Sequence, residues 1–214
     1  MTFPFPCSAL LLVVFLVVPG RAISGADTVR ILALGDSLTA GYGLREADGF
    51  PAQLETALRA RGFDVDIINA GASGDTTSGG LARLDWTLAE SPDAVILELG
   101  ANDGLRGIDP ALTRVNLGTM LEKLKAKQLP VLLTGMYAPP NFGADYVDRF
   151  NRIYPELAAE YAVTLYPFFL EGVAADPELN QADGIHPTRE GVAVIVRNIL
   201  PYVTELIAQA RSAR

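Results

Sequence analysis

Val29-Arg30-Ile31-Leu32-Ala33-Leu34-Gly35-Asp36-Ser37-Leu38-Thr39-Ala40-Gly41 is the stretch whose reading decides the fold. The aliphatic run Val29–Leu34 is nearly continuous, as in a strand covered on both faces. Gly35-Asp36-Ser37 then turns the chain, and Ser37 falls where a helix starts. A serine at such a turn is exposed at the end of the sheet, with its own N–H at the positive end of the helix dipole. Asp36 and Ser37 are equally common as simple helix caps, so this stretch alone leaves a cap and a reactive serine both open.

Outward from it, four further aliphatic runs read as strands: Val65–Asn69, Ala94–Leu99, Val131–Thr134 and Thr164–Tyr166. Between them the apolar residues take helical spacing. Phe50, Leu54 and Leu58 form one stripe, and Leu112, Val115, Leu117, Met120, Leu121 and Leu124 a second. Val147, Phe150, Tyr154, Leu157 and Tyr161 form a third, interrupted by Pro155, which predicts a kink or break. The last helix carries Val192, Ile195, Val196, Ile199, Val203 and Leu206 or Ile207. Strands alternating with helices predict a three-layer α/β/α sandwich on a parallel sheet, in which ligands bind beyond the carboxyl ends of the strands.

Those strand ends are where polar residues collect. Asn69-Ala70-Gly71-Ala72-Ser73-Gly74-Asp75-Thr76 follows the second strand, with Gly74 free of a side chain that would keep a ligand from its N–H. Gly100-Ala101-Asn102-Asp103-Gly104 follows the third, where the Asn102 amide either donates to an oxyanion or makes an Asx-turn. Met136-Tyr137-Ala138-Pro139-Pro140-Asn141-Phe142-Gly143 follows the fourth. This stiff apolar loop is positioned to wall a pocket with Met136, Tyr137, Pro139 and Phe142; as a plain structural loop it buries a Tyr or Phe.

The chain has one histidine, His186, in Asp183-Gly184-Ile185-His186-Pro187. Histidine is the side chain whose ordinary pKa, about 6.5, suits proton transfer near neutrality. Any imidazole chemistry therefore has a single place to occur, with Asp183 near enough to hold the ring. Pro187 falls where a helix could begin, which would fix the histidine's backbone. A nucleophile, a base, an orienting carboxylate and oxyanion donors are the parts needed for acyl transfer.

These same residues carry a resemblance. The chain resembles the SGNH (GDSL-type) hydrolases: Ser37 lies in a Gly-Asp-Ser-Leu block, Gly74 in a glycine block, Asn102 in a Gly-x-Asn-Asp block, and Asp183 with His186 in an Asp-x-x-His block. The blocks occur in the family's order over residues 29 to about 205. Ser73-Gly74-Asp75-Thr76, Leu99–Gly107 and Tyr166-Pro167-Phe168-Phe169 make it most similar to the bacterial periplasmic thioesterase/lysophospholipase and arylesterase branch. The resemblance implies a five-stranded parallel sheet of flavodoxin-like order 2-1-3-4-5. It also implies ester or thioester hydrolysis through an acyl-enzyme, without a cofactor. Ser37, Asp183 and His186 are then catalytic, and Ser37, Gly74 and Asn102 form the oxyanion hole. A polysaccharide O-acetylesterase would use the same machinery, and an exported binding protein would keep the fold without turnover.

Composition narrows the partners. A chain of 214 residues, 50% hydrophobic, fits one domain with one core. A net charge of −8 argues against nucleic acid, because no basic stripe exists to neutralise phosphates. One histidine and Cys7 are a poor basis for a metal site, and the glycine patterns match neither a phosphate loop nor a dinucleotide fold. Ser8–Val18 is uncharged and apolar, too short to span a bilayer, which takes roughly 20 residues. With Ala22-Ile23-Ser24 as a small-residue cleavage site, residues 1–24 read as a signal peptide, an uncleaved anchor being the alternative, and 25–214 as the catalytic domain. No Lys or Arg precedes the apolar run, which departs from the usual pattern. The expectation is an exported, periplasmic or secreted protein acting on a small-molecule ester or thioester. It would make no stable membrane insertion after cleavage, and it would be a monomer or a small homo-oligomer.

Overall fold

The computed structural model describes Met1 and residues 28–214; the leader, its cleavage site and Cys7 lie outside the described residues. The chain runs β1 (Val29–Gly35), α1 (Ser37–Ala40), α2 (Phe50–Arg59), β2 (Val65–Gly71) and α3 (Thr77–Thr87). It continues with β3 (Ala94–Glu98), α4 (Ala101–Leu105), α5 (Pro110–Ala126), β4 (Val131–Thr134), α6 (Ala144–Asn151), α7 (Ile153–Tyr161), β5 (Thr164–Tyr166) and α8 (Arg189–Ser212).

The five strands form one parallel sheet of order β2-β1-β3-β4-β5. Helices α2 and α8 pack together on one face, and α3, α5 and α7 on the other. The central strands β1, β3 and β4 are buried almost throughout, which their unbroken aliphatic runs require. Register sets the level of the strand ends: Gly35 of β1 pairs with Gly71 of β2 and with Glu98 of β3. The three loops carrying Ser37, Gly74 and Asn102 therefore leave the sheet side by side. At 24 residues, α8 is the one helix among those described with the length and apolarity to cross a bilayer, yet its apolar stripe from Val192 to Ile207 is buried in the core.

Three features of the helices differ from the sequence reading. Leu112 and Val115 are exposed, and Thr113 and Asn116 take the inward positions of α5. The reason is a polar network: the buried Asp103 carboxylate accepts from the Thr77 N–H at 2.8 Å, the Thr77 hydroxyl at 2.5 Å and the Thr113 hydroxyl at 3.1 Å. Asn116 joins it by donating to Thr77 and Ser78. Satisfying Asp103 in the interior outweighs burying two aliphatic side chains at one end of the stripe. The third stripe breaks at Arg152, between α6 and α7, which leaves Pro155 in the first turn of α7 where no helical N–H is needed. Lastly, α8 starts at Arg189 behind an N-cap at Thr188, whose hydroxyl accepts from the Gly191 N–H at 3.2 Å. Pro187 instead pairs with Asn180 in an antiparallel bridge ahead of the helix.

Candidate active site

Ser37 opens α1, and the cap is its neighbour: Asp36 Oδ1 accepts from the Leu38 N–H at 3.0 Å. The Ser37 hydroxyl is thereby left for another partner. His186, from the far end of the sequence, places Nε2 2.9 Å from Ser37 Oγ. Its Nδ1 lies 2.7 Å from Asp183 Oδ2. An ionised carboxylate only accepts, so Nδ1 carries the proton and Nε2 is left to accept from the serine. Asp183 Oδ1 takes the backbone N–H groups of His186 at 3.0 Å and Ile185 at 2.9 Å. The His186 N–H first, then that of Ile185, then the ring hold the Asp183 carboxyl well below the usual carboxylate range. The aspartate therefore stays charged wherever the histidine is neutral.

The loop bearing His186 is tied back to the start of the chain. The Gln181 side chain donates to the Tyr42 carbonyl at 2.8 Å and the Pro187 carbonyl at 2.9 Å, and the Tyr42 ring lies 4.5 Å from the imidazole, centroid to centroid.

The other two loops meet this line from the side. Asn102, in α4, donates Nδ2 to Asp36 Oδ2 at 3.0 Å. Gly74 has φ +84°, a left-handed conformation that favours glycine, and its carbonyl accepts from Arg106 at 2.9 Å. Arg106 caps the end of α4, so the Gly74 loop is bonded to the helix that carries Asn102. Arg83 fastens the strand ends beneath, donating to the carbonyls of Gly35 at 2.7 Å and Ala70 at 2.8 Å while its Nε meets Asp75 at 2.6 Å.

Below the serine lies a second carboxyl that the sequence reading missed. Glu98 is fully buried; its Oε2 accepts from the Thr39 hydroxyl at 2.7 Å and the Asp36 N–H at 3.3 Å, while Oε1 has no hydrogen-bond partner among the described residues. A Cβ on Gly35 would stand 2.4 Å from Glu98, which explains the glycine of the Gly-Asp-Ser block by close approach rather than by backbone freedom. Burial first, and the neighbouring Asp36 second, push Glu98 well above the ordinary carboxyl range. Burial also raises Asp36, opposed by the Leu38 N–H and the Asn102 amide. Of the two, Glu98 is the acid held more strongly in its protonated form.

Because the folded protein holds that proton more tightly than the unfolded chain, Glu98 favours folding below its unfolded pKa, about 4.3, and the benefit is lost as pH rises toward the folded value. We expect Glu98→Gln to gain on the parent as pH rises from 4 to 8, by at most about 1.4 kcal/mol per pH unit. Thermal melts at matched pH measure the difference; a difference that does not change with pH contradicts a protonated Glu98.

A cavity of ≈ 390 Å³ opens beside the serine, lined by Ser37, Asn102 and His186 on one side and by Met136, Tyr137, Pro139 and Phe168 on the other. Tyr137 and Phe168 stack at 4.5 Å between centroids. Leu105, Leu170 and Ile185 add to the apolar lining. Phe142, expected in this wall, is elsewhere: its ring covers Gly107 and meets Tyr146 at 5.1 Å, and it does not line the cavity. Neither Gly74 nor Asp183 is in the lining; Asp183 stands behind the imidazole. A hollow of similar size between α2 and α8, ≈ 410 Å³, contains none of the catalytic, oxyanion or pocket residues expected from the sequence.

Residues 33–194 match the model of the GDSL-like Lipase/Acylhydrolase family. An arylesterase of Vibrio mimicus is 44% identical over 84% of this chain and 86% of its own length. The Escherichia coli (strain K12) protein named thioesterase 1/protease 1/lysophospholipase L1 is 42% identical over 82% of this chain and 83% of its own. Among solved structures, the SGNH-hydrolase family esterase AlinE4 superposes with a TM-score of 0.72 at 50% identity, covering 84% of this chain and 96% of that one. With a serine, an imidazole and a carboxylate in one hydrogen-bonded line, and with matches over most of its length, the chain belongs to the GDSL-like lipase/acylhydrolase (SGNH hydrolase) family and is a serine hydrolase of ester bonds.

Proposed function

We propose that Ser37 is the nucleophile, His186 the general base and Asp183 the group that orients the imidazole and stabilises its charged form. The hydrogen-bonded line Ser37–His186–Asp183 carries this reading. His186 Nε2 takes the hydroxyl proton as Ser37 Oγ bonds to the acyl carbon, and the carbonyl electron pair moves onto oxygen. The N–H groups of Ser37 and Gly74 and the Asn102 amide receive that oxyanion. As it collapses, the bond to the leaving oxygen or sulfur breaks, and the imidazolium returns its proton to the leaving group. Water then repeats the sequence on the acyl-enzyme and frees the acid and the serine.

The substrates we propose are esters of apolar acids, aryl or short-to-medium acyl, with thioesters and lysophospholipids within range. The Tyr137–Phe168 stack and the aliphatic lining support an apolar acyl group over a sugar hydroxyl's surroundings. The names of the relatives, an arylesterase and a thioesterase/lysophospholipase, support aryl esters, thioesters and lysophospholipids within that range. From the leader we further propose export, with residues 1–24 removed and 25–214 acting outside the cytoplasm.

A series of p-nitrophenyl esters from acetyl to decanoyl, set against an acetylated xylan, tests the substrate class. We expect kcat/KM to rise from acetyl to an optimum at butyryl or longer and Tyr137→Ala to move that optimum, since it removes one face of the wall. Acetylated xylan as the best substrate would instead make the protein a polysaccharide O-acetylesterase.

A further inference from the structure

Asn102 has two amide protons, and one is already engaged. Its Nδ2 donates to Asp36 Oδ2 at 3.0 Å, while Asp36 Oδ1 is occupied by the Leu38 N–H. Asp36 has no freedom to turn away: it is fully buried and its backbone N–H is bonded to Glu98. An asparagine side chain presents oxygen on one side and NH₂ on the other, groups of nearly equal size and opposite polarity. Half a turn about its last bond exchanges them. Facing a carboxylate, which only accepts, the amide has one favourable orientation: nitrogen toward Asp36. The other proton of that nitrogen is then left for the cavity that Asn102 lines with Ser37 and His186.

We propose that Asp36 is a positioning residue for the oxyanion site, locking the Asn102 amide so that it meets the substrate oxygen with a proton and never with its own carbonyl. The inference rests on the serine-hydrolase mechanism above. It gives the aspartate a role beyond capping, because the cap uses Oδ1 alone. A negative carboxylate close to a developing oxyanion is by itself unfavourable. The lock therefore has to outweigh that repulsion, and removing the charge shows which of the two dominates.

The test is a double-mutant cycle of Asp36→Asn and Asn102→Ala, with kcat expressed per site titrated by a fluorophosphonate. Asparagine at 36 keeps the shape and can still cap Leu38, but it offers both a donor and an acceptor, so the Asn102 amide loses its preferred orientation. Asn102→Ala should lower kcat by roughly 10²–10³. Asp36→Asn should lower it about 10- to 100-fold with KM little changed, and the double variant should be no worse than Asn102→Ala within about twofold. Losses that multiply, or an Asp36→Asn enzyme as fast as the parent, would overturn the proposal. If Asp36→Asn does not fold, the parent supplies the answer by NMR of the Asn102 side-chain amide, assigned through its loss in Asn102→Ala. One proton should be shifted downfield and exchange slowly; a pair like those of surface asparagines would overturn the lock. Ser37→Ala separates the two levels: an active Ser37→Ala protein defeats the hydrolase mechanism, whereas an inactive one with multiplying losses defeats only the role of Asp36.

Discussion

Ser37→Ala should abolish turnover and leave the fold unchanged. The substitution removes the oxygen that bonds to the acyl carbon, and no neighbouring hydroxyl is held by the imidazole: His186 Nε2 has Ser37 as its side-chain partner. Losing the nucleophile in a serine hydrolase costs on the order of 10⁴–10⁶ in kcat, with any remnant coming from the oxyanion donors and binding. Stability should be spared because the serine does not cap its own helix. Asp36 does that, and among the described residues the Ser37 side chain bonds only to His186. Steady-state rates on the best p-nitrophenyl ester, beside a thermal melt, decide the matter. A variant retaining a tenth of the parental rate in clean protein contradicts the assignment.

His186→Ala should cost about as much as the loss of the serine, and combining the two should add little, because the groups act as a unit. The sequence offers no second imidazole to take over. Initial rates of the parent and the variant on the same ester, under conditions where chemistry limits, measure this. A His186→Ala enzyme within tenfold of the parent argues against imidazole as the base.

Much of this was legible because strand ends are where a parallel sheet can place chemistry. The aliphatic run Val29–Leu34 fixes β1, and Ser37 follows from the turn after it. Histidine 186 needed no structural search, being single. The strand order came from family resemblance, since spacing alone says only that the strands are parallel. The misses share one cause: apolar spacing does not report polar partners brought from afar. Leu112 and Val115 fit a helical stripe as well as any residue, yet Asp103, Thr77 and Asn116 turn α5 by their hydrogen bonds. Phe142 looked like pocket wall until Gly107 gave its ring a different seat. Glu98 sits at the end of an aliphatic strand, and no local pattern marks it as a buried acid under Asp36. The Asp36–Asn102 bond joins residues 66 positions apart on neighbouring strand ends, and only the β1–β3 register brings them together.

Exposure of the purified protein to a fluorophosphonate, followed by intact-mass measurement and peptide mapping, is the most direct check on the pairing of Ser37 with His186. The expected result is one adduct per chain, on Ser37, with labelling slowed at least 100-fold in His186→Ala. A protein that takes up no label, or carries it on another serine, would contradict it.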